Sequence, residues 1–443
     1  MKVLLIKAYF HPEVMASSHF NENLYGAITG NGLEMLVYTP VPTRGITEEV
    51  RQEYKKRKRE TMYDGMLTVH RFSLMKEGNN PILRAIRYTL QCIKQFNRAA
   101  FTKEAKSCDV MFISSTPPIL GATAALVKKI NHIPMVYNLQ DIFPDSLAGT
   151  GLAKKGGLLW KIGRVIEYFT YRNADKIIVI SQDFRRNIMA KGVPEEKIEV
   201  VYNWVDEKAI TPVNDEDNEL FEEFGISRDK FRVVYAGNLG NAQNIELIVD
   251  AARKLNHNAN DNLNQRIEFL VFGKGGLEED IKATKEKEGL ENLKILPLQP
   301  FERVAKVYGL GHVCIVACKP GLGGAAMPSK TWSIMSSGRA VLANFDEGEL
   351  KEILEGNVND PSTSSGQVEP GTLNIEPETS RRPCGVFTQA GDLDGFVNAI
   401  VELSEHPERC AEMGKNGRQF ILENLTREVG TQKYVNVIKS VVK

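Results

Sequence analysis

No stretch of these 443 residues approaches the roughly 18 consecutive apolar positions that a membrane-spanning helix requires. The N-terminal run VLLI stops at Lys7 without a signal-peptide pattern, so the expectation is a cytoplasmic protein. The six cysteines contain no CxxC pair, and Cys314 and Cys318 fall in or beside a run that reads as a buried strand. Free thiols are expected there, with neither a disulfide nor a bound metal. The loop after the first strand lacks G-x-G-x-x-G, which argues against a nicotinamide or flavin dinucleotide and against a dehydrogenase. No cofactor is expected.

Net charge is absent too, but the zero hides an asymmetry. Residues 1–205 hold 29 Lys+Arg against 19 Asp+Glu, and the remainder is acidic by the same margin. A basic half and an acidic half suit two domains with different partners, and a basic domain favours anionic surfaces. The length and the 42% hydrophobic content support two cores. We expect domains at 1–205 and 206–425, with a C-terminal helix at 426–443 packing back on the first.

What is present is a repeated strand, polar loop and helix. Apolar runs at 3–6, 34–39, 109–114, 134–138, 174–181 and 198–202 read as strands of a first α/β sheet. After the acidic connector VNDEDNELFEEF the pattern restarts at 231–235, 267–272, 293–296 and 313–317. The four loops that follow are shaped by glycine or proline and share one rim if the sheet is parallel. The last is the fullest: Gly321, Gly323 and Gly324, then Pro328, Ser329 and Lys330 opening a helix. A backbone that can approach closely, facing a lysine, outlines an anion site; the plain alternative is an ordinary strand-loop-helix with a solvated lysine. Gly237, Asn238 and Gly240 after one strand, and Gly273 and Gly275 after the next, are candidates for the same ligand.

In the first half, His11, Ser17, Ser18 and His19 border the loop after the first strand and could hold a polar ligand. Asp141 and Asp145 follow the strand at 134–138, where ligands gather in open α/β sheets, and are candidates for acceptor binding or proton handling, Asp141 as the catalytic group; the plain alternative is that Asp145 or Ser146 caps a helix. The basic run 51–59 reads as a solvated loop. The segment 82–103 carries Ile82, Ile86, Leu90, Ile93, Phe96 and Ala100 at helical spacing, with Arg84, Arg87, Lys94, Arg98 and Lys103 over the same turns. It either covers the sheet or, with 51–59, rests on an anionic membrane. Residues 357–383, rich in Ser, Thr, Pro, Gly and Glu, read as a disordered insertion.

The strings HPEVMASSHF, NLQDIFPDSLAGTGL, VISQDFRRNIMAKGVPEEKIEVVYNWVD, VVYAGNLGNAQNIE, FGKGG and PSKTWSIMSSGRAVLA, in this order and spacing, resemble the retaining glycosyltransferases of family 4. The wording is similar to the branch that builds O-antigen, capsule and colanic-acid-type polysaccharides, nearest the fucosaminyltransferases. The resemblance implies a GT-B fold, two Rossmann-like parallel-sheet domains facing a central cleft, the second binding a nucleotide sugar and the first an acceptor. It implies transfer of a hexose or amino sugar from a nucleotide diphosphate sugar, with a UDP-sugar favoured, to a polyprenyl-linked saccharide at the inner face of the cytoplasmic membrane, without metal or nucleic acid. Where the family carries an Arg/Lys pair after the GN turn, this chain has Asn241, Ala242, Gln243 and Asn244. Lys330, and after it Lys319, are then the basic groups for the diphosphate. The family's two glutamates are replaced by Ala325 and Ser333, and Glu349 is the substitute carboxylate. A nucleotide-sugar epimerase, or a scaffold that binds nucleotide sugar or lipid without turnover, is the alternative.

Overall fold

The computed structural model describes residues 1–13, 18–78, 80–146, 154–256, 263–323, 327–356 and 382–442. The chain forms two compact units, one from Met1–Asn203 with Glu428–Lys443, the other from Trp204–Arg427. The expected insertion at 357–383 lies outside the described residues as far as 381.

The first unit is an eight-stranded sheet. Its strands are β1 (Lys2–Ile6), β2 (Glu34–Pro40), β3 (Arg59–Met62), β4 (Leu67–Phe72), β5 (Val110–Ser114), β6 (Met135–Leu139), β7 (Lys176–Val179) and β8 (Ile198–Val200), in the order β3-β4-β2-β1-β5-β6-β7-β8. Every pair is parallel except β3 with β4. The uninterrupted apolar run Val3 to Ile6 is wholly buried, as a strand covered on both faces requires. The helix Arg427–Ser440 closes the unit. Its Tyr434 hydroxyl donates to Asn138 Oδ1 at 3.2 Å, and its ring meets Phe112 edge-on at 6.0 Å.

Two expectations for this unit need correction. Residues 51–59 are not a loop: Glu48–Lys56 is a helix capped by Thr47, with Glu48 and Glu49 in its first turn and Lys55 and Lys56 in its last, and β3 begins at Arg59. That charge order suits the helix dipole. Arg51 is buried, donating to Pro42 O at 2.9 Å and Leu74 O at 3.2 Å. The second correction concerns the helix Pro81–Phe101: Ala100 of its apolar stripe is buried, but Ile86, Leu90 and Ile93 do not cover the sheet. Leu83, Ile86, Leu90 and Ile93 are exposed, whereas Arg87, Gln91 and Gln95 are buried. Hydrogen bonding explains the inversion. Gln95 Nε2 donates to Lys7 O at 2.8 Å and Tyr38 O at 3.1 Å, satisfying strand-end carbonyls, and Arg87 donates to Met75 O and Thr43 Oγ1, both at 3.2 Å. Arg87 therefore supplies no surface charge.

The helix Ile119–Asn131 lies beside this one, with Asn131 Nδ2 on Ala99 O at 3.0 Å, and the helix Leu158–Asn173 lies beside that, with Lys129 Nζ 4.9 Å from the Phe169 ring centre. Of the 18 exposed large apolar side chains among the described residues, 12 belong to these three adjacent helices. Their one acidic residue, Glu167, is buried. No helix among the described residues is long and apolar enough to cross a membrane.

The second unit is a six-stranded parallel sheet of β9 (Phe231–Asn238), β10 (Ile267–Lys274), β11 (Leu293–Pro297), β12 (Val313–Ala317), β13 (Ala340–Phe345) and β14 (Gly385–Gln389), ordered β11-β10-β9-β12-β13-β14. The apolar strand faces and the helices Ile245–Asn256 and Leu393–Glu405 make its core. Strand order reverses between β9 and β12 here, and between β1 and β5 in the first unit. Loops diverge at such a reversal, leaving a crevice at the carboxyl ends of the strands.

Candidate active site

At the reversal point of the second unit, β9 ends in Ala236, Gly237 and Asn238. Gly237 has φ of 148°, and a Cβ built on it would stand 2.9 Å from Lys330 Nζ. Glycine is needed because L side chains rarely adopt that backbone angle, and the lysine end fills the space a side chain would take. Lys330 opens the helix Lys330–Ser336, and its ammonium lies 4.1 Å from the centre of the Tyr235 ring. The Tyr235 hydroxyl is turned away, donating to Asn238 O at 2.7 Å. Burial pushes the Lys330 pKa down to about 8, and no carboxylate pairs with it among the described residues. The helix has only seven residues, so the lysine rather than a helix dipole is the main positive group. Pro328 O accepts from Thr331 N at 3.0 Å and Ser329 precedes the first helical turn, which fixes where Lys330 points.

The neighbouring residues divide by what fills the space around them. A Cβ on Gly273 would stand 2.4 Å from Gly237 O, and one on Gly275 would stand 2.4 Å from Leu239 O. These glycines let the β9 and β10 loops pack together, and Leu239 N donates to Lys274 O at 3.1 Å. Gly240 is closed in by the Asn238 side chain, whose Nδ2 bonds Gln243 Oε1 at 3.2 Å. Lys319 is paired with Glu246 at 3.1 Å. Glu246 was not foreseen from sequence, although its place in the first turn of the helix Ile245–Asn256 is the available signal. Asp346 Oδ1 and Oδ2 accept from Gly321 N at 3.0 Å and Gly323 N at 2.7 Å, tying down the loop after β12. Glu349 is buried at the start of the helix Glu349–Glu355. Gly324 and Ala325 lie outside the described residues, and Ser333 is half-buried in its helix.

At the reversal point of the first unit the prominent group is again a lysine. Lys7, directly after β1, is buried and donates to Asn21 Oδ1 at 3.1 Å and Ser114 Oγ at 3.0 Å. Burial pushes its pKa down to about 8. The sequence signal is a lysine ending an apolar strand, which by itself shows only where that run breaks. Asn21 also lines a cavity of about 320 Å3 with Tyr9, His11, Glu13, Tyr25 and Tyr63. Glu13 accepts from Thr43 N at 2.7 Å and Arg44 N at 3.0 Å, and burial raises its pKa. His11 stands at the rim, its carbonyl accepting from Arg71 Nη2 at 2.8 Å. Ser17 lies outside the described residues; Ser18 begins the helix Ser18–Gly30, followed by His19.

Asp141 follows β6 and accepts from Ser146 Oγ at 3.1 Å. Desolvation by the neighbouring protein raises its pKa, and the Ser146 hydrogen bond works against the rise. Asp145 is engaged elsewhere, paired with Lys191 at 2.7 Å, and Lys191 also holds Glu167 at 2.7 Å. Among the described residues no cluster of three His, Cys, Asp or Glu side chains could hold a metal ion.

Two family models match the chain: "Glycosyl transferase 4-like domain" over residues 19–204 and "Glycosyl transferases group 1" over residues 216–369. An Escherichia coli K12 protein named as a colanic acid biosynthesis glycosyl transferase, WcaI, is 24% identical over 363 residues, covering 80% of this chain and 86% of its own. Among solved structures, sucrose-phosphate synthase of Thermosynechococcus elongatus superposes with a TM-score of 0.71 at 13% identity, covering 99% of this chain and 98% of that one. Anabaena Alr3699/HepE, in complex with UDP, superposes with 0.66 at 16% identity, covering 99% and 100%. The chain therefore matches in order a glycosyl transferase 4-like domain and then a group 1 glycosyl transferase domain, on a GT-B fold.

Proposed function

We propose that this chain transfers a hexose or amino sugar, of the fucosamine type by its sequence likeness, from a UDP-sugar to a polyprenyl-linked saccharide, with retention, in surface polysaccharide synthesis. The observation that carries the reading is Lys330: a lysine pressed against the glycine turn after β9, with no carboxylate partner among the described residues. A diphosphate brought to that turn meets an ammonium whose burial cost it offsets, and the charge that grows on the leaving diphosphate strengthens the contact. The backbone of Gly237 and Asn238 contributes donors at the same turn. HepE, which shares the fold, has been seen with UDP and with UDP-glucose, and WcaI is named for colanic acid synthesis; both support the donor and pathway class.

On the acceptor side, Lys7, His11 and the 320 Å3 cavity give the first unit a polar pocket at its own reversal point. Asp141 orients a sugar hydroxyl after β6. The three-helix face of exposed apolar residues among exposed cations, including Arg84, Lys94, Lys129 and Lys161, suits an anionic bilayer, where a lipid-linked acceptor would be met.

A panel of nucleotide sugars, offered with a polyprenyl-diphosphate-linked sugar, tests the assignment. A lengthened lipid product with the anomeric configuration of the donor is expected. An isomerised donor without transfer would make the chain an epimerase, and saturable donor binding without any turnover would make it a scaffold.

A further inference from the structure

A second pocket, of about 380 Å3, opens in the first unit where β2 and β4 end. Its walls include Lys55, Lys58, Arg71, Lys94 and Arg98, with Phe72 at the base, and no carboxylate lines it. Two other lysines of this unit are neutralised: Lys191 has Asp145 and Glu167, and Lys128 has Asp175. Here the balance is incomplete. Arg71 is taken by Glu60 at 3.3 Å and by the His11 carbonyl, and Lys94 donates to Ser73 O at 2.8 Å. Arg98 lies against the Phe72 ring, 5.6 Å from its centre. Lys55, Lys58 and Arg98 pair with no carboxylate among the described residues.

Like charges gathered in one pocket repel unless an anion joins them. Ammonium and guanidinium groups converging from a helix end, a strand end and a second helix match the several oxygens of a phosphate. The volume exceeds that of a bare phosphate, which leaves room for a substituted one. The substituent is indicated by the helix Pro81–Phe101. Lys94 and Asn97 face the pocket, and one turn back from them Leu90 and Ile93 begin the exposed row that continues through Ile86 to Leu83.

We propose that this pocket seats the phosphate of an amphiphile, with the hydrocarbon lying along Leu83, Ile86, Leu90 and Ile93. Two sources share that chemistry, an anionic phospholipid headgroup and the diphosphate of a lipid-linked saccharide. The inference rests on the membrane reading above and adds to it an anion pocket whose lining residues differ from those of the 320 Å3 cavity.

Vesicle flotation of the full chain tests it, with phosphatidylcholine alone, with phosphatidylglycerol added, or with a polyprenyl diphosphate added. The wild-type chain is expected to float with one or both of the vesicles that carry net negative charge and not with phosphatidylcholine alone, whose phosphate is balanced by its own choline. The source is whichever amphiphile supports flotation. The triple change Lys55→Gln, Lys58→Gln, Arg98→Gln should weaken flotation by about a hundredfold, each surface cation being worth about fivefold. Inorganic diphosphate should compete with wild type. A matched triple change on the three-helix face, Leu158→Asn, Leu159→Asn, Ile162→Asn, separates the two readings. If it abolishes flotation while the pocket variant floats like wild type, the pocket inference fails and the membrane reading stands. If wild type floats with no vesicle, or with neutral vesicles equally, both fail. Because Lys55 and Lys58 are exposed, the double change without Arg98 should melt like wild type and still lose about twentyfold, which removes misfolding as an explanation.

Discussion

In the first unit Lys7 reaches two neutral acceptors, Asn21 and Ser114, that hold it in place. In the second, Lys330 lies over the Tyr235 ring, against a glycine, with no hydrogen bond to a carboxylate. Both lysines stand where strand order reverses and both have a pKa lowered to about 8 by burial. The difference lies in what their N–H groups are already doing. Lys7 spends two on the protein, which fixes its position, whereas the Lys330 ammonium pairs with no carboxylate among the described residues. Burial without a hydrogen-bond partner is costly, which supports the proposal that Lys330 meets an anion.

The sharpest way to break the contrast is Lys330→Met, expected to lower kcat/KM for the nucleotide sugar by about a hundred- to a thousandfold. An equal loss from Lys7→Met would erase the distinction. A titration comes next. With Lys330 required as the ammonium, kcat/KM for the donor should fall about tenfold per pH unit above about 8. The stability sign runs the other way. The folded pKa lies below the usual 10.5, so between those two values the unfolded chain binds more protons and stability rises with pH. Lys330→Met should flatten both slopes, read by donor kinetics and by thermal melts across the window.

Gly237→Ala puts a methyl where the lysine stands, at a backbone angle an L residue rarely adopts. A cost of about 1–3 kcal/mol is expected, read as a rise of about ten- to a hundredfold in donor KM with little change in acceptor KM. Lys7→Met should do the reverse, raising acceptor KM about tenfold, the value of one charged hydrogen bond, while leaving donor KM alone. Smallest is Asp141→Asn, expected to lower kcat severalfold, within the about tenfold that a single neutral hydrogen bond is worth. An unchanged kcat/KM would remove Asp141 from the acceptor side.

The strands were legible because parallel strands buried on both faces read as unbroken apolar runs, as in LLI of β1 or VCIVA of β12. β3 and β4 were not, since RETM and LTVHRF mix charge with apolar residues at a sheet margin. The helix Pro81–Phe101 misled for a physical reason. Periodicity reveals that a helix has two faces but not which one a sheet's strand-end carbonyls will claim, and here Gln95 and Arg87 outcompeted isoleucine. At the candidate site, Lys330 and Gly237 were visible as a loop lysine and a turn glycine. Lys7 was not, because its significance comes from Asn21 and Ser114, which only the fold brings to it. The packing role of Gly273 and Gly275 was equally hidden, being set by the backbone of another loop.

The helix Arg427–Ser440, through Tyr434 on Asn138 and Gln140, belongs to the unit whose other residues end at Asn203. On a ribosome this imposes an order of events. The first sheet emerges early but lacks its last helix until all of Trp204–Arg427 has been made, an interval of roughly ten seconds to most of a minute at common elongation rates. The second unit can therefore finish folding while the first still exposes the groove around Phe112. Chains truncated at residue 427 should therefore be protease-sensitive in the first unit and resistant in the second.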